Sequence, residues 1–462
     1  MRCSSITLFF VSIIALGMPT STPGQWLNST LLEEIAASEM RSAEIPGAAV
    51  AVIEGDTPVF LRGFGVAKVS GEESITPETV FQTGSVTKIF TAVALAVLAH
   101  QGRVDFHQPA GLYVEGLHPT LARLTLHQLL THTAGLNDNE APFAGIHDEE
   151  ALAAGLKTWN ETSILTSPGR IFSYANPGYS LAGLVIQSVT GKKFAAAMHE
   201  LLFEPLGLRH TTFRPSLTAS EPLAIGHIAS RGVTIALRQF ANNVQYWPAG
   251  YLYSSAADLG RFVIALMNDG RLEGSQVLPS GILTTIAEPQ VEPPTGIYQS
   301  YGYGIGMLEV NGVRAAGHDG AIAGFSARLL MVPERRFAVI VLTNKHLSIL
   351  GRTVQAAFQM AFPPQPRNGW ERRTLLPVTA EDIARHAGIY RHGPVQVEIL
   401  EKDGRLVYKS ASLELPMYKL EEARFAILPP KSKTPTAIVF VSAEGGETVF
   451  LHRDMRAFIK VE

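Results

Sequence analysis

The sequence holds a single Ser-x-x-Lys, Ser85-Val86-Thr87-Lys88, directly before a strongly apolar stretch. On a helix, residues three apart share a face, about 5–6 Å between Cβ atoms. A serine at a helix start feels the partial positive charge of the peptide dipoles, which favours a developing anion. A lysine buried in the following turn loses hydration, which disfavours its ammonium form and prepares it to take the serine proton. The plainer reading of the pair is a capping serine and a surface lysine. Tyr174-Ala175-Asn176 is a second group. On an extended segment its phenol and amide fall on one side. A phenol beside a lysine can pass a proton to a leaving group, and an amide can bind a carbonyl or hold the lysine. Taken alone, the two are a loop tyrosine and a turn asparagine. The third group is Gly317-His318-Asp319-Gly320, leading into Ala321. Glycines on a strand mark close approach of another group to the backbone, as a bare N–H facing an oxyanion requires. A hairpin turn with a surface histidine is the plainer account of that segment.

These residues need elements to hold them. Apolar spacing predicts helices over 30–43, 86–101, 124–130 and 179–190, the last closed by Gly191. Ser255 with Asp258 resembles a capping box opening a helix through Met267, and another helix follows from about 349 to 360. Strands are expected over 47–53, 58–67, 302–310, 324–332 and 337–342. The stretch 363–378, with four prolines and Asn368-Gly369, reads as a linker. Beyond it, six strand patterns recur at 395–400, 406–410, 413–420, 424–428, 437–441 and 449–452, with Asp403-Gly404 as a two-residue hairpin turn. That spacing predicts a small antiparallel barrel or sandwich.

Composition bounds the function. With 462 residues, 46% of them apolar, the chain can bury a large core. Its 38 basic and 41 acidic residues give a net charge of -3, against the basic excess of a nucleic-acid binder. One cysteine rules out an intrachain disulfide and a Cys-rich zinc or iron–sulfur site. Residues 1–25 carry Arg2, an apolar run from Ile6 to Leu16, then small residues, as in a secretory signal peptide. The run is short of the roughly 20 residues a stable membrane span needs. The expectation is a periplasmic or secreted protein, lacking cysteine once the leader is removed. No His-Glu-x-x-His or phosphate loop is present, and Gly178-Tyr179-Ser180-Leu181-Ala182 is only a degenerate nucleophile elbow. His127 and His132 read as core or turn residues rather than metal ligands.

Together, Ser-x-x-Lys, Tyr-x-Asn and His-x-Gly, in that order, resemble the penicillin-recognising serine hydrolases. That group takes in class C β-lactamases, DD-carboxypeptidases, D-aminopeptidases and related esterases. Ile45-Pro46-Gly47-Ala48-Ala49-Val50, Leu129-Leu130-Thr131-His132-Thr133-Ala134-Gly135-Leu136, Glu204-Pro205-Leu206-Gly207-Leu208 and Pro248-Ala249-Gly250-Tyr251-Leu252-Tyr253-Ser254 extend the likeness over about 28–362. The tail from about 379 is similar, more weakly, to the lipocalin-like domain of some members. The resemblance implies an α/β (α+β) β-lactamase/transpeptidase-like domain over 26–362, an antiparallel sheet flanked by helices plus a helical lobe. It implies an all-β lipocalin-like barrel over 379–462. It implies Ser85 as nucleophile, Lys88 as general base and Tyr174 as second proton-transfer residue. Asn176, His318, Asp319 and Gly320 would bind substrate, and the N–H groups of Ser85 and Ala321 would form the oxyanion hole. No cofactor and no metal is implied; the partner is a small-molecule or short-peptide substrate, and a homo-oligomer is compatible.

Two positions depart from the β-lactamase pattern. His318 stands where many members have lysine, and a neutral imidazole grips a carboxylate less well. Asp319 stands where threonine is common, and a carboxylate facing the cleft would repel a substrate carboxylate while favouring an amine. Both departures favour an ester or a D-amino-acid-containing peptide or amide over a β-lactam. The competing class is a non-catalytic cell-wall peptide binder of the same fold, which has no need of Lys88 and Tyr174 together.

Overall fold

The computed structural model describes residues 23–138, 145–156, 158–218, 222–362, 375–430, 432, 434–442 and 447–461. The expected leader falls almost wholly outside these residues, as does most of the expected linker. Gly24 and Trp26, at the leader's end, both donate to Glu54 Oε2, at 2.6 and 2.9 Å.

Seven antiparallel strands form the central sheet: β1 (Gly47–Glu54), β2 (Thr57–Gly65), β3 (Ser300–Tyr301), β4 (Gly306–Val310), β5 (Val313–Ile322), β6 (Phe325–Val332) and β7 (Phe337–Thr343). Their order is β2-β1-β7-β6-β5-β4-β3. The centre of the sheet reads as unbroken apolar sequence because both of its faces are covered. Val50 and Val52 of β1 pack with Leu32, Val354 and Phe358, from helices α1 (Ser29–Ala43) and α5 (Gly351–Ala361). Ala49, Ala51 and Ile53 pack on the opposite side, with helices α2 (Thr87–His100), α3 (Asn176–Thr190) and α4 (Ala256–Met267). Strand alternation thus feeds two cores from one segment.

Helix α2 is the axis of the larger core. Residues 87–98 are all buried, as a helix apolar on every side must be. Phe90 stacks on Phe262 of α4 with centroids 3.9 Å apart. This packing fixes the start of α2, and with it the Ser-x-x-Lys, against β5.

The C-terminal part is a nearly closed nine-stranded antiparallel barrel, where the sequence suggested six strands. The stretch 413–420 divides at Met417 into Glu414–Pro416 and Tyr418–Lys419. Gly388–His392 and Arg456–Lys460 are additional strands, paired with each other. Helix Ala380–His386, capped by Thr379 and Asp382, also went unread. The Asp403-Gly404 turn has positive φ at both residues, 50° and 71°, as the hairpin required. A second hairpin, Thr448–Arg453 to Arg456–Lys460, turns at Asp454-Met455 with φ of 48° and 65°. That turn reaches the larger domain: Met455 O accepts from Tyr174 N at 2.8 Å, and Ser173 Oγ accepts from Ala457 N at 3.2 Å.

Candidate active site

Ser85 sits in a single 3₁₀ turn, Gly84–Val86, that runs straight into α2. Thr87 Oγ1 closes this turn on Gly84 O at 2.6 Å and accepts from Leu252 N at 3.1 Å. One helical turn on, Lys88 is fully buried. Its Nζ lies within hydrogen-bond distance of three neutral oxygens: Ser85 Oγ at 3.1 Å, Asn176 Oδ1 at 2.6 Å and Ala249 O at 2.7 Å. Burial among neutral acceptors penalises the charged form. The structure therefore departs from the surface-lysine reading.

Tyr174 approaches from the other side. Its hydroxyl donates to Ser85 Oγ at 2.9 Å, and Lys88 Nζ lies 4.8 Å from its ring centroid. The backbone around it is held on both edges. His132 O accepts from Ser173 N at 2.8 Å, and His132 Nδ1 accepts from Ala175 N at 3.1 Å. The His132 ring lies 4.2 Å from that of Tyr174, and burial keeps its imidazole well below the usual pKa, hence neutral. The core role expected of His132 therefore includes fixing the Tyr174 segment.

Asn176 corrects one expectation. It is the first residue of α3, and Ala175 is the extended N-cap, so Tyr174 and Asn176 do not share an extended segment. Pro177 suits the first helical turn, where no N–H partner is needed, and so moves the helix start upstream of the expected Tyr179. The amide still reaches Lys88.

On β5, Gly320 is required. A Cβ there would lie 1.9 Å from Thr83 O and 3.2 Å from Ser85 N. Gly84 is required from the opposite side: its φ is 54°, and a Cβ would lie 2.6 Å from Ala321 N. Two bare backbones therefore meet, setting the turn that carries Ser85 directly against β5 at Gly320 and Ala321.

His318 is buried, and both of its ring nitrogens are engaged internally. Nδ1–H donates to Asp319 O, so Nε2 accepts from Tyr301 OH at 2.9 Å. Burial, and secondarily the Lys88 charge, push its pKa down to about 4, further than the sequence implied. No N–H of this ring is left to grip a substrate. Asp319 faces its cross-strand partner Arg328 in a bidentate pair, with Nε–Oδ1 at 2.6 Å. Asp319 lines the cavity, with the charge of its carboxylate already compensated. The uncompensated repulsion expected from Asp319 is therefore absent.

The cavity beside Ser85 encloses about 380 Å³. Tyr174, His318 and Gly320 line it, with Ile297 and Leu347 on the apolar side and Met455 from the barrel turn. Sequence reasoning missed Met455, Arg456 and Asp138, which joins Asn176 to Arg456. Among the described residues no three His, Cys, Asp or Glu side chains converge as metal ligands.

Residues 32–360 match the Beta-lactamase family. The chain belongs to this family. Protein flp of Staphylococcus aureus (strain MW2) is 25% identical over 340 residues, 70% of this chain and 64% of that protein. The chain thus spans under two thirds of that relative's length. Unguisins hydrolase ungD of Aspergillus violaceofuscus is 25% identical over 429 residues, covering 79% of this chain and 75% of the relative. The crystal structure of SurE superposes with a TM-score of 0.76 at 25% identity, over 94% of this chain and 99% of that one. The SurE overlap takes in the barrel as well as the Beta-lactamase region.

Proposed function

We propose that the protein is a serine hydrolase working through an acyl-enzyme on Ser85, with an ester or a D-amino-acid-containing peptide or amide as substrate. One observation carries the reading: Ser85 Oγ lies between Lys88 Nζ at 3.1 Å and Tyr174 OH at 2.9 Å, at the mouth of a cavity. Lys88, as the neutral amine, takes the serine proton while Ser85 Oγ bonds to the substrate carbonyl carbon. The oxyanion that develops is met by the N–H groups of Ser85 and Ala321. The C–O or C–N bond then breaks, and the proton passes through Tyr174 to the departing alcohol or amine. Water adds to the acyl carbon as its proton passes, with Tyr174 as the relay, to the neutral Lys88; the Ser85 Oγ–acyl bond then breaks, Lys88 returns the proton to Oγ, and the acid leaves.

Substrate choice follows from charge. His318 is neutral with its nitrogens engaged, and Asp319 is spent on Arg328. The third-motif strand therefore offers no side-chain cation of the kind a lysine at position 318 would supply. This favours esters and amides over β-lactams. A relative named as a hydrolase supports an enzyme over a binder. With the expected leader removed, the protein would work in the periplasm or outside the cell.

A fluorophosphonate probe should label the protein at Ser85 and leave Ser85→Ala unlabelled. A panel of short-chain esters, D-amino acid amides and a cephalosporin on both forms then ranks the substrates. Labelling of Ser85→Ala as strong as wild type sinks the reading, as does turnover of the cephalosporin far above the rest for the substrate class.

A further inference from the structure

The geometry points to Asp138 and Arg456 as positioning residues for Lys88. They act through the Asn176 amide, so that a turn of the C-terminal barrel completes the machinery of the hydrolase domain. The inference rests on the hydrolase reading. Asp138 Oδ1 accepts from both Asn176 N and Asn176 Nδ2, each at 3.2 Å. Its Oδ2 accepts from Arg456 Nε at 3.0 Å and, more closely, from Arg456 Nη2. An amide side chain has two ends of nearly equal shape, and its neighbours decide which faces where. A carboxylate only accepts, so it draws the Nδ2 end. Oδ1 is then turned to Lys88 Nζ, 2.6 Å away. With the amide reversed, an NH₂ group would face the lysine and push it from Ser85.

The Asp138 side chain is only 4% exposed, so its charge needs a counterion. Arg456 supplies it from 318 residues away, at the start of the barrel's last strand. The turn carrying it is anchored rather than loose: Met455 O accepts from Tyr174 N at 2.8 Å, and Met455 N donates to Thr295 Oγ1 at 3.3 Å. Arg456 also lies over the Tyr174 ring, 5.5 Å from its centroid. The other titratable groups facing Lys88 are Tyr174, Tyr179, His132 and His318. Burial keeps both histidines neutral, and it keeps the Tyr179 phenol protonated. Asp138 and Arg456 therefore make up a compensated charge pair one amide away from the lysine.

Compensation has a signature that mere structural support lacks. Arg456→Gln leaves the Asp138 charge unopposed and favours the ammonium form of Lys88. Asp138→Asn leaves the Arg456 charge unopposed and disfavours it. The second-order rate of fluorophosphonate labelling is to be followed from about pH 5 to pH 10 on the full chain, where its acid limb reports the base. Arg456→Gln should move that limb up by about one pH unit, labelling about tenfold more slowly below it, and Asp138→Asn should move it down. The double variant should return the limb close to its wild-type pH while the plateau rate stays below wild type, because no carboxylate then orients the Asn176 amide. Because the two shifts are opposite in sign, either single variant carries the test if the other does not fold. Limbs that stay put, or that move in the same direction, overturn the relay. Wild type that is not labelled, or is labelled without Ser85, overturns the hydrolase reading instead.

Discussion

Gly320→Ala is the sharpest test of how the site is assembled. The new methyl carbon would sit 1.9 Å from Thr83 O, a carbonyl in the backbone just before Ser85. Neither partner is a flexible side chain, so β5 and the turn 83–85 must part by roughly 1 Å. A displacement of that size at a reacting geometry costs on the order of 100-fold in rate. The pair of amides at Ser85 and Ala321 would spread at the same time, and losing one oxyanion donor costs about 10²–10³ in kcat, or ~3–4 kcal/mol. The expected loss is therefore about two to three orders of magnitude in kcat. Overpacking one methyl costs about 1–3 kcal/mol, within the stability a domain usually has, so the variant should still fold. Gly351→Ala is the control, because a Cβ there meets nothing within 4 Å. The assay is p-nitrophenyl acetate hydrolysis, with a thermal melt run beside it. A folded Gly320→Ala with kcat within about threefold of wild type would refute the proposed convergence of Ser85 and Ala321.

Three further outcomes follow from the same geometry. Lys88→Ala should slow fluorophosphonate labelling by on the order of 10³-fold with the cavity intact, and labelling at an undiminished rate would remove Lys88 as the base. His318 and His452 have pKa values pushed down to about 4 by burial, from 6.5. Protons then bind the unfolded chain more readily than the folded one between those limits. Stability is full above pH 6.5 and should fall as pH drops toward about 4, by up to ~3 kcal/mol for each residue; urea midpoints that stay level across that window would contradict the burial argument. Asp319→Ala strands an Arg328 side chain that is 19% exposed, and should cost about 1–3 kcal/mol in urea unfolding, partial exposure keeping it below a fully buried pair. An unchanged midpoint would mean that Arg328 finds another partner.

The parts of this protein that were legible in its sequence are those written in local periodicity. Ser85 and Lys88 could be paired because residues three apart on a helix share a face. The two-sided burial of β1 and β7 was legible as uninterrupted apolar sequence. The Asp403-Gly404 hairpin was legible because positive φ at two successive residues selects few side chains. Asn176 was misjudged by one element, since a Pro at the next position suits a helix start as well as a turn. The strand Arg456–Lys460 was missed because its ends are charged, although Ala457 and Phe458 are buried. The Asp319–Arg328 pair joins residues set opposite each other on β5 and β6. It could not be read, because register between strands depends on the turn and on both cores together.

Asp138 and Arg456 pose a harder case. No periodicity links two residues 318 positions apart, and neither resembles part of a catalytic motif. Each looks like an ordinary surface charge until the barrel is docked. Docking itself uses hydrogen bonds that leave no trace in composition. His452 is an example: it donates through Nε2 to Phe172 O at 3.0 Å, while Nδ1 accepts from Thr295 Oγ1 at 2.8 Å. These bonds hold the turn against 172–174, the stretch that carries the phenol. Ser85 and Lys88 come from one turn and the helix it runs into, but the groups around them also depend on a domain whose own core contains neither. Burial of Lys88 is a property of the larger domain alone, whereas the orientation of the amide that holds it is a property of both.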